Sequence, residues 1–273
     1  MRKFILTNAL GNTWNLNEIE TFLHDIKGLG QEHKVTYVQL GTKFIKEKDL
    51  LLQKSITGKI RFYSYAEYRT FSLFIQHKPL SLMYESDGKY NIKISIDKLE
   101  KEELETGGLY CQITIKSLGT FYKTVVAENM KEQVAAGKTY PYAYPYTYYD
   151  YSNGEVVIDS DSVLESSTKI NIFGPCTNPS YIHMVNGVRK ASGKLNATIP
   201  EGHKLVIDCI SVPYSIKEFT LENALVKDLY EKSDFSTERF LMLEYGKNRI
   251  TFSHESSEKM KISVEGAIEY ESV

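Results

Sequence analysis

YPYAYPYTYYD, residues 140–150, is the stretch that decides how this 273-residue chain is divided. Gly137-Lys138-Thr139 precedes it and Asn153-Gly154 follows. It holds a large share of the chain's 20 tyrosines and two of its 7 prolines. Each proline fixes its own φ and drives the residue before it, Tyr140 or Tyr144, out of the helical region. Neither proline can donate to a strand ladder, so the segment is extended and suits an edge strand or a semi-rigid connector. A tyrosine has an apolar ring and a polar tip, so such a strip can lie along a hydrophobic groove with its hydroxyls wet. Its position near mid-chain marks a joint between two β-rich halves. The domains read from it are 1–136, a connector 137–152 carrying Tyr140, Tyr142, Tyr144 and Tyr146, and 153–273. An aromatic ladder for stacking sugars is the competing reading. Successive side chains of an extended segment point to alternate sides, which favours the joint.

The bulk numbers agree with two folded domains. The length exceeds what most single cores serve. Apolar content of 42% and charged content of 25% are ordinary for a soluble globular chain. The abundance of Tyr and Phe, with Val, Ile and Thr throughout, leans towards β structure. A net charge of −2 argues against a basic nucleic-acid binder, so no specific nucleic-acid binding is expected. No apolar run approaches the roughly 18 residues of a membrane span, so no insertion is expected. Residues 1–8 have too short an apolar core for a signal peptide and read as a first strand. Cys111, Cys176 and Cys209 are odd in number, far apart and free of CxxC spacing. They predict neither a disulfide framework nor a zinc site, and they fit a reducing compartment.

Along the first half, Gly11-Asn12 signals a starting hairpin. Residues 17–27 fit either a helix capped by Asn17 with Glu20 or a strand. A strand over residues 35–40 stops at Gly41, and another runs from about 50 to 63. Ser64 and Glu67 have capping-box spacing, and Tyr68, Phe71, Phe74 and Ile75 recur on one helical face. Together they predict a helix over 64–78 that Pro79 ends. The alternations Ile92, Ile94, Ile96 and Cys111, Ile113, Ile115 predict half-buried antiparallel strands. Between them, residues 99–105 read as a charged hairpin tip. In a sharper reading Glu100, Lys101, Glu102 and Glu103 meet a neighbouring subunit. Beyond the connector, short apolar runs are separated by Gly174-Pro175, Asn178-Pro179, Asn186-Gly187, residues 200–202 and residues 246–248. That spacing means a sandwich or jelly roll, with a helical turn within residues 225–235.

Motifs for chemistry are absent from the sequence. The six histidines form no HExxH and no i, i+4 pair, and no GxSxG, P-loop or GxGxxG occurs. Asp159 and Asp161 lack the surroundings of a calcium loop. Asn196-Ala197-Thr198 is a glycosylation sequon without a secretion signal. The residues alone point to a two-domain β-rich protein that is not an enzyme and needs no cofactor or metal.

The order of features resembles the distal tail proteins of long-tailed phages infecting Gram-positive bacteria. The features are Leu6-Thr7-Asn8, Gly11, Trp14-Asn15-Leu16, Gly28-Leu29-Gly30, the helix with Phe71 and Phe74, and the Tyr-Pro-Tyr connector. Asn178-Pro179 and Gly246-Lys247-Asn248-Arg249-Ile250 complete the series, so the resemblance spans nearly the whole chain. It implies an N-terminal β-barrel-like domain with one helix that closes into a hexameric ring. A C-terminal galectin-like β-sandwich of jelly-roll type would lie outside the ring. The implied role is structural, a hub at the virion tail tip assembled in the bacterial cytoplasm. Its implied partners are the tail tube protein, a tail-associated lysin or fibre protein, and baseplate or receptor-binding proteins. The alternative from another class is a carbohydrate-binding module using the connector tyrosines as a platform.

Overall fold

The computed structural model describes residues 2–105, 108–128, 152–255 and 261–273. Contacts divide the chain into two units. One comprises Met1–Lys123 and Tyr270–Val273, the other Thr124–Glu269. Among the described residues the fold is mainly β with one α-helix, arranged in several sheets.

The first unit is built from β1 (Lys3–Thr7), β2 (Thr13–Asn15), β3 (Thr21–Lys27), β4 (His33–Leu40), β5 (Lys43–Leu51) and β6 (Ser55–Phe62). After helix α1 (Tyr65–Phe74) come β7 (Leu80–Glu85), β8 (Lys89–Glu105), β9 (Gly108–Ser117) and the start of β10 (Phe121–Glu128). The main antiparallel sheet runs β2-β1-β7-β8-β9-β6-β3, and β10 joins β8 at Tyr122 opposite Asn91. Its two ends approach at one point. The Leu16 N–H donates to the Phe4 carbonyl at 2.8 Å, and the Leu23 N–H donates to the Leu16 carbonyl at 2.9 Å. With the single bridge from Asn17 to Phe22 these bonds make the sheet barrel-like, without a closing ladder among the described residues. Gly28 allows the tight exit from β3: at φ 87° a Cβ there would lie 2.1 Å from the Ser55 carbonyl oxygen. Residues 21–27 are thus the strand of the two readings the sequence left open.

The core of this unit is the inward face of those strands, including Phe4, Leu6, Ile60, Phe62, Leu82, Ile92, Ile113 and Ile115, with Phe71 and Phe74 from α1. Rings lock it together: Trp14 stands edge-on to Phe71 at 5.3 Å, and Phe62 meets Phe71 at 5.2 Å. The helix starts as its sequence requires, the Glu67 N–H donating to Ser64 Oγ at 3.2 Å. The glutamate reaches one residue further back than in the standard box and accepts from the Tyr63 N–H at 2.9 Å. The helix is shorter than the 64–78 expected. It stops at Phe74 because β1's continuation takes the carbonyls beyond it. Asn8 Nδ2 donates to the Phe74 carbonyl at 3.3 Å, and the Ala9 N–H donates to that of His77 at 3.0 Å.

Residues 99–105 lie at the tip end of the β8–β9 hairpin, as expected, but as strand. They belong to the 17-residue strand β8, which pairs with β9 as far as Glu105 opposite Gly108. Register shifts between Ile96 and Lys98 and between Lys101 and Leu104 absorb extra residues, so the charged stretch bends without leaving the ladder.

The second unit has two main antiparallel sheets. One runs β19 (Leu225–Asp228), β18 (Ser215–Thr220), β17 (His203–Asp208), β12 (Ser166–Phe173), β22 (Lys261–Tyr270). The other runs β11 (Ser152–Ser160), β21 (Gly246–Ser253), β14 (Ser180–Val185), β15 (Val188–Lys194). Short pairs β13 (Cys176–Thr177) with β16 (Thr198–Ile199), and β20 (Met242–Leu243) on β12, complete it. Burial alternates along β14 and β21, with Tyr181, His183, Ile250 and Phe252 buried and Ile182 and Arg249 exposed. A cavity of about 20 Å³ has Ile172, Leu205, Ile207 and Ile216 of the first sheet on one side and Tyr181 and Gly193 of the second on the other. The two sheets therefore face each other across a shared core, the sandwich the strand spacing predicted. A 3-10 turn at Tyr230–Lys232 is the helical turn expected within 225–235.

Candidate assembly surface

Among the described residues no group of His, Cys, Asp and Glu side chains is placed to hold a metal ion. No described helix is long and apolar enough to cross a membrane. The three cysteines are free and buried, and burial pushes each thiol up to about 11.

The connector residues Tyr140, Tyr142, Tyr144 and Tyr146 lie outside the described residues. The side chains of the acidic-basic stretch of β8 are described as far as Glu102, and these charges are engaged within the subunit. Glu100 Oε2 lies 2.6 Å from Lys98 Nζ, and Glu102 Oε1 accepts from Gln112 Nε2 at 2.8 Å. The Lys101 ammonium sits 5.3 Å from the centre of the Tyr65 ring and 5.8 Å from that of Tyr68, both on α1. Glu103 continues the strand backbone. These residues tie β8 to its neighbours more than they present a free charged patch.

The unsatisfied surface is β4–β5, a hairpin that forms a sheet of its own. A two-residue turn, Gly41-Thr42, joins the strands, with Leu40 opposite Lys43. The register puts Tyr37 with Lys46 and Gln39 with Phe44 on one face, and Val38 with Ile45 and Leu40 with Lys43 on the other. Both faces expose large apolar groups: Phe44 is 67% exposed, Tyr37 and Leu40 59% each, and Ile45 51%. Neither outer edge pairs with another described strand. A lone two-stranded hairpin is marginal in water. Here it also carries an apolar load on both faces of a kind that soluble monomers seldom show. The sequence contained the signal. Apolar residues at both parities between 35 and 51, Tyr37, Phe44, Val38 and Ile45 among them, leave no polar face for solvent. The reading stopped at Gly41, because the lysines and acids of residues 43–49 break any clean alternation.

The base of the hairpin is anchored. His33 Nδ1 lies 2.7 Å from Asp49 Oδ1 and its Nε2 lies 3.3 Å from Glu271 Oε2, so the ring spans from β5 to the returning C-terminal segment. Carboxylates at both ring nitrogens suit the imidazolium, the only form with two N–H donors. The pKa of His33 is raised, first by its bond to Asp49, with Glu271 adding to it against a partial loss from burial. Asp49 is held low by its bonds to Lys46 and His33. Next to this cluster Lys54 donates from Nζ to the Gly30 carbonyl at 2.5 Å, and its backbone exchanges bonds with Ser117. Burial lowers the Lys54 pKa.

Fold and surface together define a β-rich, two-unit protein whose most evident feature is an anchored, apolar arm. Residues 3–118 match the family model for the distal tail protein, N-terminal domain, which fills nearly all of the first unit. The family resemblance read from the sequence thus has independent support over that unit. No curated protein matches the chain. Among solved structures, a chain of the phage P2 baseplate in its activated conformation with calcium superposes with a TM-score of 0.66 at 14% identity, covering 100% of both chains. The Dit protein of phage SPP1, described as a paradigm of the hub adsorption apparatus in Gram-positive infecting phages, superposes at 0.64 and 6% identity over 98% of this chain and 99% of that one. At such identities the likeness is one of fold.

Proposed function

We propose that the protein is a structural component of a phage tail tip, closing into a hexameric ring through its first unit. In this reading the ring joins the tail tube to a baseplate with its lysin or fibre and receptor-binding proteins. The second unit serves as an outer, galectin-like domain, and no catalysis is involved. The observation that carries the proposal is the β4–β5 arm, with two apolar faces and two open edges in a unit that matches the distal tail family. Docked on the next copy, the arm gains ladder bonds along an edge and buries its apolar side chains. Burying a Phe or Ile side chain contributes about 1.5–3 kcal/mol. The arm of one copy meets a different surface of the next, so the contact is heterologous. Such contacts make a finite ring only when the rotation closes.

The test is light scattering and negative-stain microscopy on the full chain across a concentration series. Closed six-membered rings are expected. A strict monomer at every concentration, or open filaments, would overturn the reading.

A further inference from the structure

The second unit carries an aromatic surface that its core does not use. Residues 229–241 form a strap laid along β15 and bonded to it through the backbone. The Asp234 N–H donates to the Lys194 carbonyl at 2.9 Å, the Glu238 N–H to that of Ser192 at 2.8 Å, and the Asn196 N–H to that of Lys232 at 2.8 Å. Gly193 permits this close approach. A Cβ there would meet Tyr181 Cε1 at 2.3 Å and the Glu238 carbonyl oxygen at 2.6 Å. Within the strap Asp234 Oδ1 accepts from the Ser236 N–H at 2.9 Å, so the turn is braced before any ligand arrives.

On this frame four rings gather, Tyr230, Phe235 and Phe240 from the strap and Tyr214 from outside it. Tyr214 stands edge-on to Phe240 at 5.2 Å, Tyr230 stacks on Phe240 at 6.3 Å, and Phe235 meets Tyr230 at 5.9 Å. The Arg239 guanidinium lies 5.0 Å from the Phe235 ring centre and 5.5 Å from that of Tyr230, and donates to the Tyr230 hydroxyl at 2.7 Å. Phe235 and Tyr214 nevertheless remain 59% and 45% exposed. Arg239, Ser233 and Glu238 also line the small cavity of about 20 Å³ beneath the strap, room for one hydroxyl-sized group. Ser233 is 6% exposed, and its hydroxyl finds no hydrogen-bond partner among the described protein atoms. A buried hydroxyl needs a partner, which a water or a ligand hydroxyl in the cavity can supply.

We propose that this surface binds a neutral saccharide, laid on the exposed Phe235 ring, which Arg239 joins to the Ser233 cavity, with the Tyr214 ring as the alternative platform. The C–H face of a pyranose is apolar, with hydrogens that are drawn to the negative face of an aromatic ring. Its hydroxyls need the kind of polar fringe the strap supplies with Ser236, Thr237 and Glu238. The Ser and Glu of that fringe are of the kind depleted where protein surfaces bury one another, while the rings and Arg239 are of the kind enriched there, so silence from every sugar would leave a protein as the occupant. A polyanion is disfavoured. Lys194, Lys232 and Arg239 are balanced by Glu231, Asp234 and Glu238, so no attractive field builds up. The site stands on the second unit alone and does not depend on ring assembly.

The test is saturation-transfer NMR on the full-length protein with glucose, galactose, rhamnose and N-acetylglucosamine, and with poly(glycerol phosphate) as the anionic probe. At least one neutral sugar is expected to give ring-proton signals. Phe235→Ala should weaken that binding about fivefold or more, with Tyr214→Ala as the second variant. Both side chains are largely exposed, so melting curves should match the wild type. Silence from all four sugars, binding unchanged in both variants, or binding of the polyanion alone would overturn the proposal.

Discussion

Two hairpins of the first unit, β8–β9 and β4–β5, carry similar mixtures of charged and apolar residues and put them to opposite use. In β8–β9 the apolar set Ile92, Ile94, Ile113 and Ile115 is buried, and the charges Glu100, Lys101 and Glu102 are engaged by Lys98, Tyr65, Tyr68 and Gln112. In β4–β5 the charges are close to solvent, and Tyr37, Val38, Leu40, Phe44 and Ile45 have no core to enter. A charged stretch engaged within its own unit is the weaker candidate for the proposed interface. Surface ion pairs contribute little, whereas unburied apolar area has a large driving force still to spend.

The comparison breaks most visibly at Phe44 and Ile45. Replacing both by Ser should leave the melting temperature within a degree or two of wild type. The same change should weaken association by about a hundredfold or more, since each removed side chain forfeits roughly 1.5–3 kcal/mol. Sedimentation over a concentration series measures this. The mirror experiment is Ile113→Ala in β9, where Ile113 is 2% exposed. It should cost about 2–5 kcal/mol in unfolding free energy, read by denaturant titration. Lys101→Ala is the smaller control. It removes cation–π contacts with two tyrosines of α1 and should cost about 1 kcal/mol or less, with assembly unchanged. A large assembly defect in that variant would restore the charged stretch as the interface.

The smallest expected effect concerns the arm's base. His33 has a folded pKa raised above 6.5, so its contribution is fully present below that value and is lost as pH rises through the raised pKa. Asp49 is shifted downwards, so its contribution is present above 3.8 and fades only as pH falls through the lowered value. Between those limits the base is held at both ends. Proteolysis within the arm should therefore quicken as pH rises above 6.5 and through the raised pKa of His33. His33→Gln should remove that dependence. An equally steep pH profile in the variant would assign the titration to another group.

Much of the fold could be read from local chemistry. The Ser64 and Glu67 pair marked the helix start, and the Ile92, Ile94, Ile96 alternation marked a strand, because those signals repeat at fixed spacing. The helix end was misjudged because it depends on Asn8 and Ala9, some 66 residues earlier in the bond to Phe74, and no local pattern reports them. The strand character of the hairpin tip, residues 99–105, was missed for a related reason. Their partners in β9 supply a ladder that absorbs two register shifts. The arm was missed because its apolar residues occupy both faces, which destroys the period by which strands are found. The strap was invisible as a site: Tyr214 and Phe240 meet only once the sheet has been built.

The central claim, that the first unit assembles through its β4–β5 arm, is tested most directly by hydrogen exchange followed from dilute to assembled protein. The account predicts that backbone amides of Lys43–Leu51 and His33–Leu40 gain protection with assembly, while those of β8 and β9 are protected throughout. Protection that leaves the arm unchanged and appears only within residues 152–255 would contradict it.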